Sequence, residues 1–227
     1  MQEQTRIPYV LIDGRFEATP AALRLLGDIL GLRARGEQLA KYVEDTFAAI
    51  DAALKAIPDE ERPRVYLARD PDGLETGVVG SINTEIVERA GGRNVARAPG
   101  QSGLVRASME QVIVANPDII LTWDRTFFSR VQQDPLWAGI KAVREKRVYL
   151  APTAPFGSID RPPSLNRVMG LKWLAGLFYP DLFRQDLRET AREFYLLFYH
   201  VDPSDEELDS LIAWSKGQAP VPQFRKR

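Results

Sequence analysis

The chain of 227 residues contains no cysteine and a single histidine, His200. The absence of cysteine excludes disulfide bonds, thiolate metal sites and a thiol nucleophile. His200 follows an aromatic-rich stretch and lies far in the sequence from every candidate polar loop, so we interpret it as a structural residue rather than a base. We therefore expect that the protein is not an enzyme and that it carries no cofactor.

The sequence also lacks an excess of charge of one sign and any apolar run long enough to span a membrane. Thirty basic residues stand against thirty-one acidic ones, and the two signs are interspersed, so nucleic acid is not an expected partner. The polar start, residues 1–6, lacks the apolar core of a signal peptide. We expect that the chain as written carries no signal peptide.

A long amphipathic helix is predicted over residues 36–57. Its apolar residues recur at intervals of three and four positions and so form one stripe: Leu39, Val43, Phe47, Ile50, Leu54 and Ile57. Pro58 is expected to stop the helix, which would be roughly 30 Å long, about the width of a small domain. We predict that this helix connects two lobes and that its stripe packs on the lobe that follows it.

The segment before this helix, residues 1–35, is too short to be a complete α/β lobe. It contains a predicted strand over residues 9–13 and a predicted helix that Thr19 caps, Pro20 begins and Gly31 ends. A single strand followed by a single helix has no second strand to pair with. We therefore interpret the segment as the remnant of an N-terminal lobe.

The segment after the helix, residues 58–216, alternates strands and helices. Predicted strands over residues 64–68, 118–122 and 147–151 are separated by helical stretches. This alternation predicts an α/β fold, with a C-terminal lobe that is a three-layer sandwich around a parallel sheet. Residues 217–227 are predicted to form a flexible tail.

Polar loops follow three of these strands, over residues 69–77, 123–126 and 152–161. In an open parallel sheet, ligands bind outside the carboxyl ends of the strands. Arg161 offers donors for anionic oxygens, and two aromatic residues offer flat walls for a chelate. The predicted ligand-binding residues are Glu75, Trp123, Asp124, Phe156, Ser158, Asp160 and Arg161. The alternative interpretation is that these loops are only solvated turns.

Two other kinds of site have weaker support. Asp70, Asp72 and Glu75 offer oxygen ligands for a hard cation, but we assign no metal site. The glycines of residues 77–80 and 91–92 do not form the patterns that hold phosphate at the start of a helix. A nucleotide site is therefore not predicted.

Several motifs resemble, in the same order, the substrate-binding proteins of ABC importers for iron–siderophore complexes, haem, cobalamin and, in a related branch, molybdate. The matching segments are residues 73–77, 80–96, 108–120, 159–167, 170–174 and 193–199. The resemblance implies two α/β lobes joined by one long helix, with the ligand held between the lobes. It also implies delivery of that ligand to a permease in the membrane.

The resemblance implies that the chain is the C-terminal part of a substrate-binding component that captures a metal chelate such as an iron–siderophore complex. The full-length parent is then expected in the periplasm, or anchored to the membrane outside the cytoplasm. Members of this family carry a signal sequence and a full N-terminal lobe before the part that matches residues 7–31. We therefore expect weaker ligand binding by this chain than by such a parent.

Three alternatives remain open. The ligand could be molybdate or another oxyanion. The chain could be a truncated α/β domain that binds no ligand and forms a homodimer through exposed apolar surface. The same architecture also carries enzymes, since a fold does not determine a function.

Overall fold

The computed structural model describes residues 6–154, 156–184 and 186–215. The chain divides into two compact units, one up to Phe47 and one from Ala48 onward. The predicted flexible tail, residues 217–227, lies outside the described residues.

The first unit is a pair of helices joined by a tight turn. Helix α1 (Thr19–Ile29) is followed by Gly31, whose φ of +68° is a left-handed conformation that favours glycine, and then by helix α2 (Arg33–Leu54). The two helices approach so closely that a Cβ atom on Gly36 would lie 2.8 Å from the carbonyl oxygen of Leu23. The prediction that Gly31 ends the first helix is confirmed, since α1 stops at Ile29 and the chain turns at Gly31.

Two details at the start of this unit differ from prediction. Residues 9–13 form no strand, because the described part of the chain offers no neighbouring strand to share hydrogen bonds with them. Thr19 is the first residue of α1 rather than its cap, and its hydroxyl donates to the carbonyl of Phe16 over 2.6 Å.

Helix α2 has 22 residues, so it is about 33 Å long, and it lies three residues earlier in the sequence than predicted at both ends. It ends before Pro58. Phe47 packs edge-to-face on Phe16, with ring centroids 5.1 Å apart, inside the first unit. Ile50 and Leu54 are buried in the second unit. The prediction that the whole stripe packs on the C-terminal lobe is therefore wrong, since the stripe is divided between the two units.

The strands of the second unit are β1 (Arg64–Ala68), β2 (Glu75–Gly77), β3 (Arg93–Asn94), β4 (Leu104–Arg106), β5 (Ile119–Thr122) and β6 (Val148–Leu150). Four of them form a parallel sheet in the order β3-β1-β5-β6, and β2 and β4 form a separate antiparallel pair. The helices are α3 (Glu85–Arg89), α4 (Met109–Ala115), α5 (Arg125–Arg130), α6 (Lys141–Arg144), α7 (Arg167–Phe178), α8 (Leu187–Tyr199) and α9 (Asp205–Ser215).

Both faces of the parallel sheet are covered. Tyr66 of β1 belongs to a buried cluster with Val112 of α4 and Phe127 of α5. Val65 points to the opposite face, because side chains alternate along a strand. On that face Val65, Val87 of α3 and Phe178 of α7 all surround Gly92, since a Cβ atom on Gly92 would lie within 3.1 Å of each of them. The predicted α/β fold, with a parallel sheet between two helical layers, is confirmed.

The antiparallel pair β2–β4 was not predicted. Glu75 pairs with Arg106 and Gly77 with Leu104, so the polar loop after β1 returns as a short strand. Strands of three residues carry too little alternation to be recognised in a sequence. The sequence predicts that Ser81 caps the next helix, but α3 begins only at Glu85, after a turn over residues 82–84.

The helices at the carboxyl end are confirmed, with shifted starts. The sequence predicts that Pro162 and Pro163 open one helix and that residues 181–199 form the next, whereas α7 begins at Arg167 and α8 at Leu187. The patterns Ser-x-x-Gln at Ser108 and Ser-x-x-Glu at Ser204 predict two capping boxes, and both are confirmed: the Gln111 N–H donates to the Ser108 hydroxyl and the Glu207 N–H donates to the Ser204 hydroxyl, with a reciprocal bond in each case. No helix among the described residues is long and apolar enough to cross a membrane.

Candidate ligand-binding site

The carboxyl ends of β1 and β5 place an arginine beside a tryptophan. Ala68 is level with Thr122 in the parallel sheet, so the residues that follow, Arg69 and Trp123, leave the sheet side by side. The central carbon of the Arg69 guanidinium lies 5.0 Å from the centre of the Trp123 ring. This is the geometry of a cation–π contact.

Arg69 is also the centre of a buried polar network. Its Nε donates to Asp160 Oδ2 over 2.9 Å, and its guanidinium pairs with Glu75. Asp160 is 1% exposed and accepts two further bonds, from Asn83 Nδ2 over 2.9 Å and from the Arg161 N–H over 2.7 Å. A buried carboxylate needs such partners to remain charged. The loop after β6 is therefore fixed to the loop after β1.

This network forms one wall of an open concavity of about 370 Å³ at the carboxyl edge of the sheet. Its lining residues are Arg69, Asp70, Pro71, Glu75, Trp123, Asp124 and Arg161. Each of the three carboxylates has a protein partner: Asp70 pairs with Arg106 over 2.8 Å, Glu75 pairs with Arg69, and Asp124 accepts from the Phe127 N–H over 2.9 Å. The acidic side chains of the concavity are thus engaged within the protein.

Two donor groups that belong to lining residues have no partner among the described residues. No acceptor lies within reach of the Arg161 guanidinium, and the Trp123 Nε1–H is buried without a hydrogen bond, although Trp123 is only 6% exposed. Arg161 also has a φ of +69°, a region that residues with a side chain rarely adopt. Strained conformations and unpaired buried donors both concentrate at functional sites.

The structure brings four of the seven predicted site residues together around the concavity: Glu75, Trp123, Asp124 and Arg161. The other three do not line it. Asp160 is buried beneath Arg69, Ser158 is 1% exposed, and Phe156 is 49% exposed beside the helix α7 entry, where its carbonyl accepts from Asn166 Nδ2. The assignment of all seven to a ligand remains a prediction.

Arg69 is the residue that the sequence-based selection missed. Arg69 follows directly after β1, just as Trp123 follows directly after β5. This shared position at the end of a buried strand could have identified Arg69 from the sequence. Asp70 and Pro71 also line the concavity and were not selected.

The carboxylates considered for a hard cation are held by arginines. Arg106 bridges Asp70 and Asp72. Burial works to raise the pKa of Asp72, but the Leu74 N–H and the Arg106 guanidinium outweigh it and hold that pKa below its usual value. Among residues 6–154, 156–184 and 186–215, no group of three or more acidic or histidine side chains is arranged to hold a metal ion.

Comparison with known proteins identifies the family. Residues 4–155 match the family described as periplasmic binding protein, and the chain belongs to this family.

Three relatives illustrate the relation. The chain is 30% identical to the molybdate-binding protein MolA of Haemophilus influenzae over 181 residues, which are 78% of this chain and 50% of MolA. It is 25% identical to the high-affinity heme uptake system protein IsdE of Staphylococcus aureus, over 69% of this chain and 54% of IsdE. The solved structure of an ABC transporter solute binding protein from Sulfurospirillum deleyianum is 33% identical, with a TM-score of 0.81 over 87% of this chain and 62% of that one. The chain thus spans about half the length of the curated relatives it matches.

Proposed function

We propose that this chain is part of the substrate-binding component of an ABC importer, and that it captures a metal chelate such as an iron–siderophore complex for delivery to a membrane permease. The family supports the binding role, and the names of the relatives connect that role with molybdate and haem. The permease and a location outside the cytoplasm belong to the same proposal. The proposed ligand site is the concavity at the carboxyl edge of the sheet.

The observation that carries this proposal is the guanidinium of Arg161, which has no partner among the described residues and lines the same concavity as Trp123. Every carboxylate of the concavity has a protein partner, so Arg161 is the charge that remains for a ligand. Anionic oxygens of a catecholate, hydroxamate or carboxylate would accept its hydrogen bonds. The small exposed part of the Trp123 ring would pack on the organic part of the chelate.

A second candidate ligand is an oxyanion such as molybdate. The relation to MolA favours it, since that relative is 30% identical and its name states that it binds molybdate. An oxyanion would use Arg161 as its donor and would not need the aromatic ring. The two candidates therefore differ in their dependence on the aromatic wall.

Isothermal titration of the full chain with molybdate, haemin, a ferric catecholate complex and a ferric hydroxamate complex tests both ligands. Replacing Arg161 by glutamine should weaken binding roughly tenfold, since a hydrogen bond to a charged group is lost. The matched control is Arg130→Gln, which removes an exposed arginine outside the concavity. Trp123→Leu should weaken a chelate strongly and molybdate less.

The proposal fails if no member of this ligand set gives saturable binding. It also fails if Arg161→Gln binds the ligand as tightly as Arg130→Gln. A bound structure with the ligand outside the concavity would overturn the site while leaving the binding role intact.

A further inference from the structure

A second cavity of about 550 Å³ lies in the second unit and shares no lining residue with the concavity at the carboxyl edge. It is bounded by the start of β1, by β3 and the residues that follow it, by β4 and by one side of helix α4. Its apolar surface comes from Val95, Val105 and the exposed Val114, whereas Tyr66 and Val112, each 1% exposed, lie buried behind it. Small-molecule sites typically enclose about 300–1,000 Å³ of mostly apolar surface with a few placed polar groups.

The charged lining of this cavity is strongly basic in a protein whose net charge is −1. Four guanidinium groups, those of Arg64, Arg93, Arg97 and Arg106, stand against one carboxylate, that of Glu110, which is a local net charge of +3. Arg64 and Arg93 are directly opposite each other in the register of β1 and β3. Like charges in that position repel, so an anion between them and their neighbours would be stabilising.

Three of these arginines are engaged with other groups of the protein, and Arg97 is the exception. Arg64 donates to the carbonyls of Ala115 and Asn116 at the end of α4, and Arg106 pairs with Asp70 and Asp72.

Arg93 pairs with Asp59: its Nε lies 3.5 Å from the carboxylate, and its Nη1 donates to the Asp59 carbonyl over 3.3 Å. Within the described part of the chain, the exposed Arg97 has no acceptor.

We propose that this cavity is a second binding site, for a small amphiphilic carboxylate with one aromatic or short aliphatic body. The apolar body would replace water against Val95 and Val105, and the carboxylate would be held by Arg97. An inorganic oxyanion would leave the apolar walls in contact with water, and a neutral arene would offer the Arg97 guanidinium no acceptor. The site is independent of the proposed importer function.

Cinnamate, with cinnamyl alcohol as its uncharged counterpart, tests the site by isothermal titration of the full chain. We expect saturable binding of cinnamate, several times tighter than that of the alcohol. Arg97→Gln should weaken cinnamate by roughly two- to fivefold, as expected for an exposed ion pair, and should leave the alcohol unchanged. Arg130→Gln, which removes an exposed arginine outside the cavity, should change neither.

Filling the cavity provides a second test. Val105→Phe places a larger side chain among the lining residues and should abolish binding of both compounds; if that variant does not fold, Ala98→Phe serves the same purpose.

The proposal is overturned if wild type shows no saturable binding of cinnamate at millimolar concentration, or if Arg97→Gln behaves like Arg130→Gln. It is also overturned if Arg161→Gln abolishes cinnamate binding, because the compound would then occupy the other site.

Discussion

At the scale of single residues, Arg69 balances the charge of the candidate ligand site. Only 10% of its side chain is exposed, and it neutralises the buried Asp160 while its guanidinium lies over Trp123. Removing one member of a buried pair leaves the other charge uncompensated, which costs more than the pair itself contributes. We therefore expect that the main effect of replacing Arg69 is a lower free energy of unfolding rather than a lower affinity for a ligand.

We predict that Arg69→Gln lowers the free energy of unfolding by about 3 kcal/mol, because Asp160 loses its ionic partner in a buried position. Adding Asp160→Asn to the same chain should recover part of that loss, since no buried charge then remains. Urea unfolding of the two single variants and the double variant measures the coupling.

Arg106→Gln is the matched control, since its guanidinium is 59% exposed and its pairs with Asp70 and Asp72 lie at the surface. Its cost should stay below about 1 kcal/mol. If Arg69→Gln and Arg106→Gln lower the free energy of unfolding equally, the burial of the network around Asp160 adds nothing to its contribution to stability.

At the scale of secondary-structure elements, Asp118 connects three segments at the amino ends of the strands. It precedes β5, its Oδ2 accepts from the Arg64 N–H at the start of β1 over 2.8 Å, and its Oδ1 accepts from Lys141 Nζ at the start of α6 over 2.7 Å. Burial works to raise its pKa, but these donors outweigh burial and hold the pKa of Asp118 below its ordinary value of 3.8. The ion pair also raises the pKa of Lys141 above 10.5.

We predict that Asp118→Asn lowers the free energy of unfolding at pH 7 by about 1–2 kcal/mol, because charge-assisted hydrogen bonds are lost. A carboxyl group whose pKa is lowered by folding stabilises the protein above its unfolded pKa and loses that effect as the pH falls through its folded pKa. The difference between wild type and variant should therefore be constant from about pH 5 to 8 and shrink below about pH 4. Chemical unfolding at a series of pH values measures it.

Asp45→Asn is the control for this experiment. It breaks a solvent-exposed pair with Lys41, 2.8 Å apart and four residues along α2, which should cost under about 0.5 kcal/mol. If Asp118→Asn costs no more than this control, Asp118 does not anchor the sheet.

At the scale of the whole molecule, the first unit exposes apolar side chains that are grouped around the end of α1. Leu25, Leu26, Ile29, Leu30 and Leu32 are between 37% and 66% exposed. Apolar groups that are contiguous at a surface are commonly covered by a partner, whereas scattered ones are normal. This group of residues supports the prediction of self-association.

We predict that the chain self-associates with increasing concentration and that Leu30→Lys shifts it toward the monomer, because a charge would have to be buried in the contact. Sedimentation velocity over a hundredfold range of concentration measures the shift. Leu136→Lys is the matched control, since Leu136 is 66% exposed, as Leu30 is, and lies in the second unit. A monomer at every concentration, or an equal effect of both substitutions, would contradict the prediction.

The sequence by itself determined the elements whose signals are local. Three apolar residues in a row, followed by a threonine, predicted the buried strand β5, capping boxes located the starts of α4 and α9, and the spacing of apolar residues identified α2. The motifs in their order also identified the family that the comparison confirms. The sheet edge was predictable as the place of the site, because parallel strands end on one side.

Only the tertiary structure decided what those elements contact. Which residues share the concavity depends on the register of Ala68 with Thr122, and register arises from pairing between distant segments that no local pattern encodes. Contacts between distant loops likewise join Arg69 to Asp160, bury Asp160 away from the concavity and leave the Arg161 side chain without a partner among the described residues. The strand predicted at residues 9–13 fails for the converse reason, since a β-propensity becomes a strand only where another strand completes its hydrogen bonds.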